Sequence, residues 1–206
     1  VIAIPSKNFA FIHIPKTAGT SVSEIIRDKE TDKIVDVSPT LKKHPNQRKK
    51  WGGHPKREVL EDLFPEFKEA EHTFAIVRNP YDRLLSAFLH SLRDRGYAGS
   101  FYPEYFNFEY WLHDNIEKNS LWTLPQTTWL NIEKDTIMKF EELEHDLYKM
   151  EDILGYKFKL GLHNESMKRI VGITHHNDVI RDSAKELIKK HYAEEIEIFN
   201  YEKICK

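Results

Sequence analysis

The chain has 206 residues, 40% of them hydrophobic and 31% charged, enough for one domain with a sizeable core and too apolar for an intrinsically disordered chain. Lys plus Arg total 31 against 33 Asp plus Glu, a net charge of −2, which excludes the bulk basicity of a nucleic-acid coat but leaves room for a local basic site. A single cysteine, Cys205, excludes an internal disulfide framework and cysteine clusters for zinc or iron–sulfur.

No apolar run approaches the roughly 20 residues that span a bilayer, and no basic leader precedes the first elements. Phe9-Ala10-Phe11-Ile12-His13-Ile14 is an apolar run ending at Pro15, which predicts a strand. The loop Pro15-Lys16-Thr17-Ala18-Gly19 follows. Thr20 to Arg27 then reads as a helix, with Thr20 or Ser21 near its start. Lys33 to Val37 is a less regular strand candidate. Thr40 to Arg57 is polar and basic, interrupted by Pro45, Gly52, Gly53 and Pro55, and reads as an irregular connection.

A short helix is predicted over Lys56 to Leu63. Thr73 to Val77 is the second clear strand. It runs into Arg78-Asn79-Pro80, where proline opens a helix at its first turn. Tyr81, Leu84, Leu85, Phe88 and Leu92 form an apolar stripe on that helix. The middle of the chain is rich in aromatics, and Phe108, Trp111 and Leu112 fit one helical face. Thr136 to Phe140 predicts a buried strand, Glu141 to Leu154 a helix, and Asp182 to Phe199 the last long helix. Strands alternating with helices imply an α/β fold in three layers, a central mostly parallel sheet flanked by helices. No domain boundary is visible, so residues 1–206 are expected to form a single domain.

Strand, loop and helix over Phe9 to Arg27 form an arrangement suited to phosphate. Backbone N–H groups of the loop and helix start point at one spot, and the helix dipole adds about half a positive charge there. Lys16 supplies a full charge, Gly19 permits close approach, and the hydroxyls of Thr17, Thr20 and Ser21 are further donors. This is not a Walker A loop, in which lysine directly follows the last glycine. Lys16 precedes Gly19 here, and no Walker B carboxylate stands out at a strand end. Both features argue against a kinase or ATPase. Arg78, at the end of the second strand, offers a fork for bidentate phosphate binding. Ser86 follows about two turns into the next helix.

The segments Phe11-Ile12-His13-Ile14-Pro15-Lys16-Thr17-Ala18-Gly19-Thr20-Ser21 and Val77-Arg78-Asn79-Pro80-Tyr81-Asp82-Arg83-Leu84-Leu85-Ser86 resemble the two signature segments of sulfotransferases that use PAPS (3′-phosphoadenosine 5′-phosphosulfate). The likeness is to the carbohydrate branch, which includes heparan 2-O and chondroitin sulfotransferases and bacterial relatives. It implies a P-loop-like fold. It also implies that Lys16, Thr17, Ala18, Gly19, Thr20 and Ser21 hold the 5′-phosphosulfate, and Arg78 and Ser86 the 3′-phosphate. Shorter likenesses are Gly53-His54, Pro125-Gln126, Met138 to Leu143 and Leu162 to Ser166.

Sulfuryl transfer to a hydroxyl needs an oriented donor, a base and stabilisation of the leaving phosphate. Lys16 is the expected stabiliser. His54, in Trp51-Gly52-Gly53-His54-Pro55, is the expected base, since an imidazole titrates near 6.5. The resemblance implies the same role for it, and a capping histidine is the alternative. His13 is expected to pack or hydrogen-bond in the first strand, and His163 to be structural. Tandem His175-His176 lacks an HExxH pattern, and adjacent extended residues face opposite ways, so no metal site and no metal requirement are expected. Gln126 is a candidate acceptor contact. The basic run through Lys42, Lys43, Arg48, Lys49, Lys50, Lys56 and Arg57 either attracts an anionic polysaccharide or is a solvated loop.

The expected reaction is therefore sulfuryl transfer from PAPS, releasing PAP, to a hydroxyl of a glycan or other acceptor, without nucleic acid, membrane span or metal. The alternatives are a nucleotide or small-molecule kinase and a non-catalytic PAP- or polysaccharide-binding module. One cysteine and no leader suit a bacterial or viral cytoplasmic protein, and a Golgi-lumen domain shorn of its anchor is the other reading. Neither acceptor identity nor oligomeric state follows from these residues.

Overall fold

The structure, a computed structural model, describes residues 1–37, 53–94, 107–159 and 176–202. The chain divides into two compact units. One comprises Val1–Val77 and Gln126–His163, the other Arg78–Pro125 and Asn164–Lys206. This interleaved division has no marker in the sequence.

The first unit holds a five-stranded sheet of β1 (Ile2–Ile4), β2 (Phe9–Ile12), β3 (Val35–Asp36), β4 (His72–Val77) and β5 (Thr136–Lys139), in the order β3-β1-β2-β4-β5. β2, β4 and β5 are parallel, with Ile12 opposite Ala75 and Val77 opposite Lys139. This is the expected parallel core. β1 was not foreseen. It pairs antiparallel with β2, Ile2 opposite Phe11, and with β3, so the sheet is mixed. The reversal comes from a 3-10 turn at Pro5–Lys7 closed by Asn8, whose φ of 47° places it in the left-handed region that asparagine tolerates.

α1 (Gly19–Lys29) follows β2, and α2 (Arg57–Leu63) and α3 (Pro65–Glu69) precede β4. The sheet and α1 bury a common core that includes Ile4, Phe11, Val22, Ile26, Phe74 and Met138, with Phe9 and Phe74 stacked at 5.5 Å. The expectation of one helix over Glu141 to Leu154 resolves into a 3-10 turn at Phe140–Glu142 and two short helices, at Leu143–Asp146 and Tyr148–Leu154.

The second unit is helical among its described residues. α4 (Pro80–Asp94) begins where Asn79 caps it: the Asn79 Oδ1 accepts the Tyr81 N–H at 2.9 Å and its carbonyl accepts the Arg83 N–H at 2.9 Å. Pro80 takes the first helical position, where its missing N–H costs nothing. α5 (Phe108–Glu117) is capped by Asn107 and packs Phe108 and Trp111 on Phe88 at 5.5 and 5.6 Å. The last predicted helix is two, Asp182–His191 and Ala193–Ile198, broken at Tyr192. Tyr192 turns its hydroxyl to the Thr123 carbonyl at 2.7 Å, while the fully buried Arg83 donates to the Leu124 carbonyl at 2.8 Å. Two side chains from separate helices thus tie down one stretch of loop backbone.

Candidate active site

The loop between β2 and α1 is held in an uncommon conformation. Lys16 and Ala18 have φ of 69° and 66°, a region that costs an L residue on the order of 1–2 kcal/mol. Such a turn persists because its surroundings hold it, and turns of this kind can direct consecutive N–H groups at an anion. α1 starts at Gly19 and its first ladder bond runs from Val22 N–H to the Ala18 carbonyl at 3.3 Å. The N–H groups of Gly19, Thr20 and Ser21 therefore lack intrahelical partners. Thr20 is exposed and Ser21 half-buried. The Thr17 hydroxyl, by contrast, donates inward to the Ile14 carbonyl at 3.0 Å, so its offer to a ligand is its backbone N–H.

Gly19 is required by its neighbour. A Cβ there would collide with Cδ2, Cγ and Nε2 of His13. The His13 imidazole, just past the end of β2, thus lies directly on the first residue of α1. The same residue meets His54. The two rings stand edge to face with centroids 4.4 Å apart and planes at 82°, and the His54 Nδ1 lies 2.9 Å from the His13 carbonyl oxygen. A carbonyl only accepts, so Nδ1 carries the proton and Nε2 keeps its lone pair. Gly53, with φ of 100°, gives the chain the turn it needs just before His54. The Trp129 indole N–H donates to the His54 carbonyl at 3.1 Å, fixing the segment from the far side.

Burial pushes the His54 imidazole down to about 4, and the Lys16 charge adds to this. Burial likewise holds His13 well below the usual histidine range, with the neighbouring His54 and Lys16 contributing. The loop lysine and both imidazoles are thus close enough to feel one another. Both histidines fold uncharged, whereas in the unfolded chain they titrate near 6.5. Between pH 6.5 and about 4 the unfolded chain therefore binds more protons than the folded one. Stability is expected to be fully present above pH 6.5 and to fall as the pH drops through this window. Urea midpoints at pH 7 and pH 5 measure it.

The segment beyond His54 is anchored by a buried ion pair. Arg57 Nη1 lies 2.9 Å from both carboxylate oxygens of Asp135, and Arg57 Nε lies 2.6 Å from Glu61 Oε1. Asp135 also accepts the Asn131 N–H at 2.8 Å. Burial nonetheless raises its pKa, so the carboxylate depends on its partner. Arg57→Met leaves that charge uncompensated and is expected to lower stability by about 3 kcal/mol, measured by urea denaturation.

In the second unit, Arg78 directly follows β4 in the chain and is buried, Asn79 caps α4, and Ser86 is buried on that helix. His176 is buried, with its Nδ1 3.1 Å from Asp82 Oδ2 and its ring stacked on Tyr81 at 5.3 Å, a packing role. Gln126 opens the 3-10 turn Gln126–Trp129 and is fully buried. His163, His175, the Asn164-Glu165-Ser166 tripeptide and the basic run at 42–50 lie outside the described residues. Among the described residues no cluster of three His, Cys, Asp or Glu is placed to hold a metal ion, and no helix is long and apolar enough to cross a membrane.

Trp129 and Asp135 have no place in the sequence reading of the site, Arg57 appears there only in the basic run, and His13 packs and hydrogen-bonds as expected but toward His54. Each acts through a partner remote in the chain, and only His13, inside the phosphate-loop segment, carried any signal.

The geometry sets a left-handed loop and a helix start beside a neutral, oriented imidazole. Residues 1–202 match the Sulfotransferase family. The chain belongs to that family and is a PAPS-dependent transferase, which sets the kinase reading aside. No curated protein and no solved structure matches it.

Proposed function

We propose that this sulfotransferase transfers the sulfuryl group of PAPS to a hydroxyl of a carbohydrate acceptor, with His54 as base and Lys16 as stabiliser of the leaving oxygen. The contact of the His54 Nδ1–H with the His13 carbonyl carries the reading, because it leaves Nε2 ready to accept a proton beside the phosphate loop. The donor, when bound, supplies a sulfuryl group activated by a phosphate leaving group.

Each unit carries residues whose chemistry suits one end of such a donor. The left-handed turn, the unpartnered N–H groups of Gly19 to Ser21 and the Lys16 charge suit the 5′-phosphosulfate. Arg78 and Ser86, flanking the capped start of α4, suit the 3′-phosphate. His54 enters neutral. Anionic groups placed in the loop offset the Lys16 charge and raise its basicity toward the working pH. The acceptor proton goes to Nε2, while Lys16 gains electrostatic work as the bridging oxygen becomes negative. An acceptor contact by Gln126 requires its surroundings to open, since the side chain is buried.

The carbohydrate acceptor rests on the resemblance of the two signature segments to the glycan branch. Calorimetry with PAP and with magnesium–ATP tests the donor site. Labelled-sulfate transfer to glycans, lipids and small alcohols tests the acceptor. Metal-free PAP binding with label on glycans supports the proposal. Preference for magnesium–ATP, or label only on lipids or small alcohols, overturns it.

A further inference from the structure

We infer that His13 is a positioning residue for the transfer: its carbonyl and its ring together lock His54 to the first residue of the phosphate-binding helix. The inference deepens the proposed function and rests on His54 being the base.

Three contacts meet in this one residue. Its carbonyl oxygen accepts the His54 Nδ1–H at 2.9 Å, which fixes the tautomer and the ring plane. Its imidazole meets the His54 ring edge-on at 4.4 Å, which opposes reorientation of that ring. The same ring lies so close to Gly19 that no Cβ fits there. Base, wedge and helix start are therefore in continuous contact. A shift of the His13 ring moves either Nε2 of His54 or the N–H groups that open α1. Neither half is well placed without the other, because in-line transfer requires the base and the sulfuryl group at a set separation. Besides stacking on Phe11 of the core at 6.5 Å, its ring touches the two parts of the site that must agree.

The experiment has a spectroscopic and a genetic arm. Nitrogen-15 NMR of histidine-labelled protein should show His54 with its proton on Nδ1. An Nε2–H tautomer in the wild type overturns the inference without any variant. In His13→Ala, which keeps the main-chain carbonyl and with it the Nδ1–H tautomer but loses the ring contact, kcat should fall by about ten- to a hundredfold, with PAP affinity falling less and the His54 ring signals shifted and broadened. His13→Phe, which restores the ring volume, should recover most of kcat. Unchanged kcat and an unchanged His54 spectrum in His13→Ala overturn the inference.

The wedge is tested separately by a cycle with Gly19→Ala. The single Gly19→Ala change should abolish PAP binding, and adding His13→Ala should restore it by clearing the space. Full PAP binding by Gly19→Ala alone, or no recovery in the double variant, overturns the wedge. If His54→Ala keeps its turnover, the base assignment fails. The cycle, read by PAP binding, then still decides whether His13 spaces the loop.

Discussion

His54→Ala is expected to lower kcat by about 10²- to 10⁴-fold, the usual contribution of a positioned base, while PAP affinity stays within about threefold. The separation follows from the geometry. Among the described residues the His54 side chain bonds and packs against His13, and its backbone carbonyl, which Trp129 holds, survives the substitution. Steady-state kinetics beside PAP calorimetry measure the two quantities. Loss of PAP binding in step with kcat assigns His54 a structural role. A kcat close to that of the wild type removes it from the chemistry.

The second large effect is expected at Lys16. Lys16→Ala should reduce kcat by about 10²- to 10³-fold, the scale seen on removing one preorganised group from a developing anion. Alanine keeps the Cβ, so the left-handed backbone at this position bears the same strain as before. The substitution also has a sign that can be read in the pH profile. Burial is the main cause of the depressed His54 pKa and Lys16 adds to it, so its removal raises that pKa from about 4 by the small part that the charge contributes. The acid limb of kcat/KM should then move to higher pH. An unmoved limb would separate Lys16 from His54 electrostatically, and an unchanged kcat would remove it from the leaving group.

The parts legible in the sequence are those governed by local rules. β2 and β4 stand out as apolar runs that end at Pro15 and at the Arg78-Asn79-Pro80 break, and α4 by its stripe and its proline. The loop between β2 and α1 is legible because lysine, glycine and hydroxyl residues lie between an apolar run and a helix start. Ile2-Ala3-Ile4 is too short to show a period, and only the turn at Asn8 folds it onto β2. Tyr192 looks like one more apolar position on a long helix. Its hydroxyl bond to the distant Thr123 carbonyl accompanies the break. In the same way the Gly-His pair marks His54 as interesting, but its tautomer depends on a carbonyl 41 residues away. Glycine at position 19 suggests a ligand's need for room, whereas the structure shows a histidine ring occupying that room.

The interleaving of the two units bears on how the chain reaches this state. β4 and β5 are sheet neighbours, yet the whole stretch Arg78–Pro125 is threaded between them in the chain. β5 can dock only after that insertion has been looped out, a distant closure of the kind that slows folding. Until it docks, one side of β4 shows bare N–H and carbonyl groups to any other strand. Nascent or truncated chains that stop before Thr136 therefore leave the β4 edge open and are expected to aggregate more readily than chains that carry β5 and the core residues after it, Leu143 to Phe158.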